Sequence, residues 1–331
     1  VTEGPLVGVG VPVWQASAFV ARTLQSVLDQ KNVRLQLVVS VDGADADSAA
    51  ACRPFASDPR VRLVVQPKRL GWVANTAVVL AAASQGAEFA CVQPHDDWIE
   101  PDYLATLVEA AHEHPRAAVV FTDLAAFGAV DNALSQDSVV GSPMGRQLTL
   151  LTWHYNAVAF RGLTRTSALR AVPSISGNRH TDFACDTVWM ARLARVGDLV
   201  RVPRVLYHKW YGPTTAHATW TGWPAPQKLA AWRLHCLDML AEALTVATNA
   251  RDRERLTGAA RRRLVLADTP LGPYVRDIQA LTPFHRWKLQ ALFGAEAAVR
   301  TDIGPLRHWS RDGMVRGMER LRTAIGRRLG T

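Results

Sequence analysis

The chain has 331 residues, enough for one large α/β domain with an appendage or for two modest domains, and its 48% hydrophobic and 20% charged content excludes a disordered chain. No run reaches the ~18 consecutive apolar residues that span a bilayer, and Val1-Thr2-Glu3-Gly4-Pro5 shows neither the basic nor the apolar region of a secretion signal. The net charge of +9 is uneven: residues 251–331 carry 17 basic and 8 acidic side chains, whereas residues 1–250 carry 21 of each.

Leu6 to Val13 reads as a buried strand. Ala18 to Gln30 follows with Phe19, Val20, Leu24, Val27 and Leu28 at helical spacing. Leu35 to Val41 is a second apolar run, ending in the polar loop Asp42-Gly43-Ala44-Asp45-Ala46-Asp47-Ser48. Val61 to Val65 is a third strand, and Leu70-Gly71 leads into a helix through Ala83. Phe89 to Gln93 is a fourth strand, closed by Pro94-His95-Asp96-Asp97. Pro101 suits the first position of a helix that runs to about His112, and Ala117 to Phe121 is a fifth strand before Thr122-Asp123.

Short apolar strands alternating with helices imply parallel strands joined by right-handed crossovers. In such sheets ligands bind beyond the carboxyl ends of the strands, which is where Asp42, Asp96-Asp97 and Asp123 fall. Acids also populate loops and helix N-caps, and Asp123 alone indicates no more than that. From 124 to 180 the periodicity blurs, predicting loops and strands that cover the sheet. Cys185 to Val196 resumes a helical pattern, Leu199 to Tyr207 reads as a strand, and Tyr207, Trp210, Tyr211, Trp220 and Trp223 crowd the next stretch. Residues 225–331 read as largely helical. The expected division is an α/β domain over 1–224, with a first half (1–123) and a second half (124–224), then a basic helical extension over 225–331. Cys52, Cys91, Cys185 and Cys236 are scattered, which argues against a zinc site or a disulfide framework and fits a reducing cytoplasm.

Four stretches, in order and spacing, resemble glycosyltransferase family 2 over roughly residues 6–215, about two-thirds of the chain. The first is Val11-Pro12-Val13-Trp14-Gln15 with Thr23-Leu24-Gln25-Ser26-Val27-Leu28-Asp29-Gln30, similar to the family's Pro-x-Tyr-Asn strand end and the helix after it. The second is Val41-Asp42-Gly43-Ala44-Asp45, similar to Asp-Asp-Gly-Ser. The third is Leu70-Gly71 with Asn75, and the fourth is His95-Asp96-Asp97 followed by Pro101, similar to the Asp-x-Asp metal motif and its proline.

The resemblance implies a GT-A fold: a Rossmann-like, mostly parallel sheet flanked by helices. It implies inverting, non-processive transfer from a UDP-, GDP- or dTDP-sugar, with Mn²⁺ or Mg²⁺. It assigns nucleotide-sugar contacts to Pro12, Trp14, Asp42, Gly71, Asn75 and Asp96, and direct metal ligation to Asp97. Trp14, where the family has Tyr, suits the face of a base or the edge of the core. The residue types fit the chemistry. Breaking the sugar–diphosphate bond puts charge on the leaving group, which a carboxylate-held cation neutralises. Such cations take oxygen ligands and keep positions open for phosphate.

An inverting enzyme also needs a base for the acceptor hydroxyl. The family places an acid at the head of a helix that continues into Arg-Leu-x-x-x-Gly. Cys185-Asp186 stands at the matching distance before Arg192-Leu193-Ala194-Arg195-Val196-Gly197. Asp186 is therefore the expected base, with Asp182, about one helical turn earlier, as competitor. Cys185 replaces the usual acid, which motivates the alternative of an inactive GT-A module that binds sugar or nucleotide. A further metal ligand is expected near His208, with Tyr211 and His217 also in range. Trp210 and Tyr211 suit stacking on an acceptor saccharide or filling a core.

Processive relatives carry Gln-x-x-Arg-Trp; here Pro283 occupies the Gln position before Arg286-Trp287. A nicotinamide-binding G-x-G-x-x-G is absent, because Gly8 and Gly10 lie within the first strand with no third glycine. Residues 306–329 alternate Met314, Val315, Met318, Leu321, Ile325 and Leu329 with arginines. A basic amphipathic helix suits an anionic membrane surface and a lipid-linked acceptor, and equally a helix packed on the domain or on a second subunit. No nucleic-acid reading motif accompanies the charge. The expected location is the cytoplasm or the cytoplasmic face of the inner membrane, as monomer or homo-oligomer.

Overall fold

The computed structural model describes residues 4–152, 157–213, 215–265 and 281–302. Its first half holds β1 (Leu6–Val13), α1 (Val20–Leu28), β2 (Arg34–Val41), α2 (Ala46–Cys52), β3 (Val61–Val65), α3 (Trp72–Ala83) and β4 (Phe89–Val92). The four strands pair in parallel in the order β3-β2-β1-β4. Val7, Val9, Val11 and Val13 are buried, as are the residues between them except Pro12, because helices cover the sheet. A Cβ on Gly8 would stand 1.8 Å from the carbonyl oxygen of Ala83, and one on Gly10 would stand 2.9 Å from Val79. These glycines let β1 approach α3; they do not form a phosphate turn.

The second half departs from simple alternation. It comprises β5 (Trp98–Ile99), α4 (Tyr103–Glu113), β6 (Ala117–Gly128), β7 (Asn132–Leu134), α5 (Pro143–Thr152), β8 (Leu163–Arg165), α6 (Thr166–Ala171), α7 (Cys185–Leu193) and β9 (Asp198–Tyr211). The sheet continues β4-β8-β6-β9-β5, with β7 on β6. β8 runs antiparallel to β4 and β6, β9 parallel to β6, and β5 antiparallel to β9.

Two expectations are corrected here. Pro101 precedes α4, whose N-cap is Asp102. The fifth strand does not stop at Phe121 but runs to Gly128. Its residues 117–124 are all buried, so no change of periodicity marked an end. Asp123 therefore lies within β6, at a bulge, where Arg201 holds it through two bonds of 2.7 Å.

Residues 216–302 add α8 (Ala216–Thr221), α9 (Ala225–Leu244), α10 (Ala250–Val265) and α11 (Pro283–Asp302). Trp232, Cys236, Leu240, Leu256, Leu264 and Phe293 join the same hydrophobic core as the sheet. The described helices beyond residue 215 are thus continuous with the core around the sheet. All four cysteines are buried and free. Among the described residues no helix is long and apolar enough to cross a membrane. The amphipathic stretch 306–329 lies outside the described residues.

Candidate active site

The site is built along the carboxyl ends of β1, β2 and β4 and the far end of β9. At the β2 end, Asp42 is 2% exposed. It accepts hydrogen bonds from the backbone N–H groups of Leu70 (2.6 Å) and Gly71 (2.9 Å). Gly71 has φ +87°, and Gly43, at φ +77°, leaves room for the close approach of Arg69. Asn75 is buried: its amide donates to Ser40 O at 2.9 Å and it accepts from the Ser40 hydroxyl at 2.6 Å. The carbonyl of Pro12 lies 3.0 Å from His95 Nδ1. Trp14 is half-buried, with the Arg69 guanidinium 4.0 Å over its ring. Of the six residues expected to contact a nucleotide sugar, Asp42 is thus largely engaged in fixing Leu70 and Gly71, and Asn75 in holding Ser40 of β2. Trp14 offers a partly open aromatic face.

At the β4 end the two adjacent acids part company. Asp97 is 1% exposed and fully engaged. Its Oδ1 accepts from Trp210 N at 2.7 Å, and its Oδ2 from the Tyr207 hydroxyl at 2.8 Å and Arg161 Nε at 3.1 Å. Asp96 is only half-buried. Burial and the neighbouring Asp97 charge raise its carboxyl pKa, which His95 and Arg161 only partly offset. Asp97, the expected direct metal ligand, thus anchors β9 and Arg161.

Two basic residues complete the site, and the sequence reading passed over both. Arg161 ends the 3-10 turn Val158–Arg161, and its carbonyl accepts the Tyr103 hydroxyl at 2.5 Å. Burial opposes the Arg161 charge most strongly, but Asp97, Tyr207 and Tyr211 together outweigh it and the pKa is raised. Lys209 lies on β9 between Tyr207 and Tyr211, donating to the Tyr211 hydroxyl at 2.8 Å. Burial and Arg161 lower its pKa to about 7, against the pull of Asp97, Asp186 and Asp96. The available signals were slight: an arginine closing the apolar run Val158-Ala159-Phe160, and a lysine amid aromatics.

Asp186 occupies the first turn of α7 and accepts from Thr187 N at 2.8 Å. Burial raises its pKa, while that backbone bond, Arg161 and Lys209 pull it down. Residues 181, 182 and 184, just before α7, all hold positive φ without being glycine. Backbone strain of that kind costs on the order of 1–3 kcal/mol per residue and gathers at functional sites. Asp182 braces this loop by accepting from Asn178 N at 2.9 Å. Cys185 is buried, and its thiol pKa is pushed up by that burial.

His208, the other expected metal ligand, lies apart from the acids. Strand alternation sends residues 207 and 209 toward the acids and residue 208 to the opposite face. There its ring stacks on Trp98 at 3.5 Å and contacts Glu100 at 2.9 Å. The Trp210 ring shares that face, 5.5 Å from Phe19 and 5.2 Å from Phe127, so only its backbone N–H serves the site. Tyr211 stays with Lys209. The side chain of His217 lies outside the described ones. Among the described residues no three His, Cys, Asp or Glu side chains converge on one cation position. A groove of about 530 Å³ lined by Leu148, Thr152, Glu254, Arg255, Gly258 and Arg262 shares no residue with this site.

Residues 8–170 match the family model for Glycosyl transferase family 2. An uncharacterized protein, y4gI of Sinorhizobium fredii, is 32% identical over 37% of this chain and 13% of its own length. Chondroitin synthase of Escherichia coli is 28% identical over 36% of this chain and 17% of its own. The putative glycosyltransferase EpsH of Bacillus subtilis is 31% identical over 33% and 31%. The chain thus spans less than a third of the length of these relatives. Among solved structures, S. aureus TarS 1-349 in complex with UDP superposes with a TM-score of 0.60 at 13% identity, covering 90% of this chain and 88% of that one. The mannosyltransferase PcManGT from Pyrobaculum calidifontis, in complex with GDP-Man and Mn²⁺, superposes with a TM-score of 0.55 at 18% identity, covering 90% and 87%. The fold is GT-A, and residues 8–170, which carry Asp42, Asp96, Asp97 and Arg161, match glycosyltransferase family 2.

Proposed function

We propose that this protein is an inverting glycosyltransferase that moves one sugar from a nucleoside-diphosphate sugar to a saccharide or lipid-linked saccharide, with Asp186 as general base. The observation that carries the reading is the convergence on Lys209. Asp96 and Asp97, adjacent after β4, and Asp186, on α7, all act electrostatically on that one ammonium, as does Arg161. Such a cluster can stabilise a diphosphate and accept a proton a short distance away.

The roles within it follow from geometry. Asp97 orients Arg161, Tyr207 and the Trp210 backbone. Asp97 is taken up by these three donors, so Asp96, half-buried next to it, is the carboxylate disposed to meet a cation alongside substrate phosphates, and the ligand role passes from Asp97 to Asp96. One protein carboxylate suits Mn²⁺ or Mg²⁺ that takes its remaining ligands from phosphate and water; such an ion supplies Lewis-acid stabilisation of the leaving group. Arg161 and Lys209 add positive charge to the same diphosphate. Asp186, whose raised pKa makes its carboxylate a stronger base, is disposed to take the acceptor hydroxyl's proton. Trp14 and Arg69 offer a stacking face for the base, and Tyr211 the nearest aromatic for an acceptor sugar.

Residues 1–224 form the catalytic domain in this reading, and 225–331 an extension that meets an anionic membrane surface. Supporting that contact, Phe284 and Trp287 are 63% and 64% exposed and stack on each other beside Arg286 and Lys288. TarS 1-349 in its complex with UDP and PcManGT in its complex with GDP-Man support a nucleotide-sugar donor.

The test is a thermal-shift screen of UDP, GDP, dTDP and CMP with and without Mn²⁺ on wild type, Asp96→Asn and Asp97→Asn. A metal-dependent shift with one nucleotide, lost in Asp96→Asn, is the expected result. No shift with any nucleotide, under saturating Mn²⁺, removes the reading. The anomeric configuration of the product, read by NMR, tests inversion.

A further inference from the structure

Asp186 reaches the site from α7, and α7 is gripped at both ends by parts of the chain beyond the matched family stretch. At its head, Phe183 is 1% exposed. Its ring meets Trp220 at 5.1 Å, Trp223 at 6.0 Å and His235 at 6.0 Å, all from α8, α9 or the turn between them. This aromatic socket holds the residue that lies between the positive-φ positions 182 and 184. At the tail of α7, Glu242 of α9 accepts from Arg192 Nη2 at 2.7 Å and Arg192 Nε at 3.0 Å, and from Arg195 Nη1 at 3.0 Å. Arg192 also donates through Nη1 to Ser174 O at 2.6 Å and Pro173 O at 3.3 Å, tying down the start of the strained loop. From α5, Gln147 donates to Ala191 O at 2.7 Å and Arg146 to Ala194 O at 2.6 Å, so the last carbonyls of α7 are bound as well.

Taking Asp186 as the base proposed above, we infer that Glu242 is a positioning residue for the transfer reaction, fixing α7 through Arg192 and Arg195 so that Asp186 holds its place beside Arg161 and Lys209. The Arg192–Glu242 pair is mostly buried, with side chains 11% and 14% exposed. It is therefore screened far less than a surface pair. One carboxylate serves two guanidiniums on successive turns of the chain, so its loss frees the tail of α7 and the 173–184 loop together. The helical extension is then part of the catalytic apparatus, although the residues that touch substrate lie outside it.

The experiment measures transfer by Glu242→Gln against donor concentration, with nucleotide binding and Tm read on the same preparation. The expected result is a fall in kcat of about 10- to 100-fold, the scale of a misplaced catalytic group. Donor KM and the nucleotide thermal shift should stay at wild-type values, and Glu242→Asp should recover most of the rate. Wild-type kcat in Glu242→Gln overturns the inference. So does a loss in which kcat and donor binding fall together in step with unfolding. If Glu242→Gln does not fold, Arg195→Gln, at the more exposed partner (28%), is put through the same measurements with the same criteria. Asp186→Asn separates the two claims. If it turns over normally, both the base and this inference fall; if it is dead while Glu242→Gln is unaffected, only this inference falls.

Discussion

The two ends of the candidate site treat their acids differently. At the β2 end, the Asp42 carboxylate receives two backbone N–H groups, and Asn75 pairs with Ser40. Asp45, capping α2, accepts from Gln15 N and Ser48 N. Hydrogen-bonded in this way, these polar groups stiffen a loop platform. At the β9 end, only Asp97 is engaged to that degree. Asp96 and Asp186 have raised pKa values, and Lys209 a lowered one. Groups held in disfavoured charge states cost stability and are disposed to meet a ligand or exchange a proton. One end is built to hold shape, and the other to react.

The largest expected effect is at Asp186. Asp186→Asn should cut kcat by about 10²- to 10⁴-fold, the usual worth of a general base, while keeping the nucleotide thermal shift. Its stability should move the other way. A carboxyl whose folded pKa lies above its unfolded value costs stability as pH rises past that unfolded value, so removing the charge should hold or raise Tm at pH 7. A lowered Tm would mean that Asp186 is another structural acid, and the comparison would lose its reactive end.

Next comes the contrast between neighbours. Asp97→Asn leaves Arg161, with its side chain 14% exposed, without its carboxylate. Breaking a buried pair costs about 3–5 kcal/mol, measurable by urea denaturation. Asp96→Asn should leave the urea midpoint near wild type and abolish the Mn²⁺-dependent shift. The opposite pattern would return direct metal ligation to Asp97. At the quiet end, Asp42→Asn deprives one of two buried N–H groups of its acceptor, for about 1–3 kcal/mol, with base binding weakened only through the loosened loop. The smallest effect is expected at Asp45. Asp45→Ala removes an N-cap, worth about 0.5–2 kcal/mol. The Asp45 pKa is lowered by hydrogen bonds from Ser48 and Gln15 that outweigh its burial. Its contribution is therefore present above the unfolded pKa and is lost as pH falls through the folded one. The variant's Tm should fall less steeply than wild type below about pH 4.

The sequence by itself determined the first half of the fold and the reactive residue types. β1 to β4 follow the reading to within two residues, because apolar runs and turn residues are local signals. Asp42, Asp96 and Asp97 were found because they end such runs, and Asp186 because its helix resembled one in a known family. Tertiary structure decided the rest. β6 and β9 are long, bulged and paired across some 80 residues, and periodicity carries no information about such pairing. Asp96 and Asp97 are identical in type and adjacent in sequence. Only the position of Arg161, Tyr207 and the Trp210 backbone makes one an anchor and leaves the other half-exposed. His208 and Lys209 are likewise neighbours, and strand alternation turns one toward Trp98 and the other toward the acids. A one-residue step along a strand reverses the face a side chain occupies, so the role of each group depended on where the strand was laid, and that was set by contacts far away in the chain.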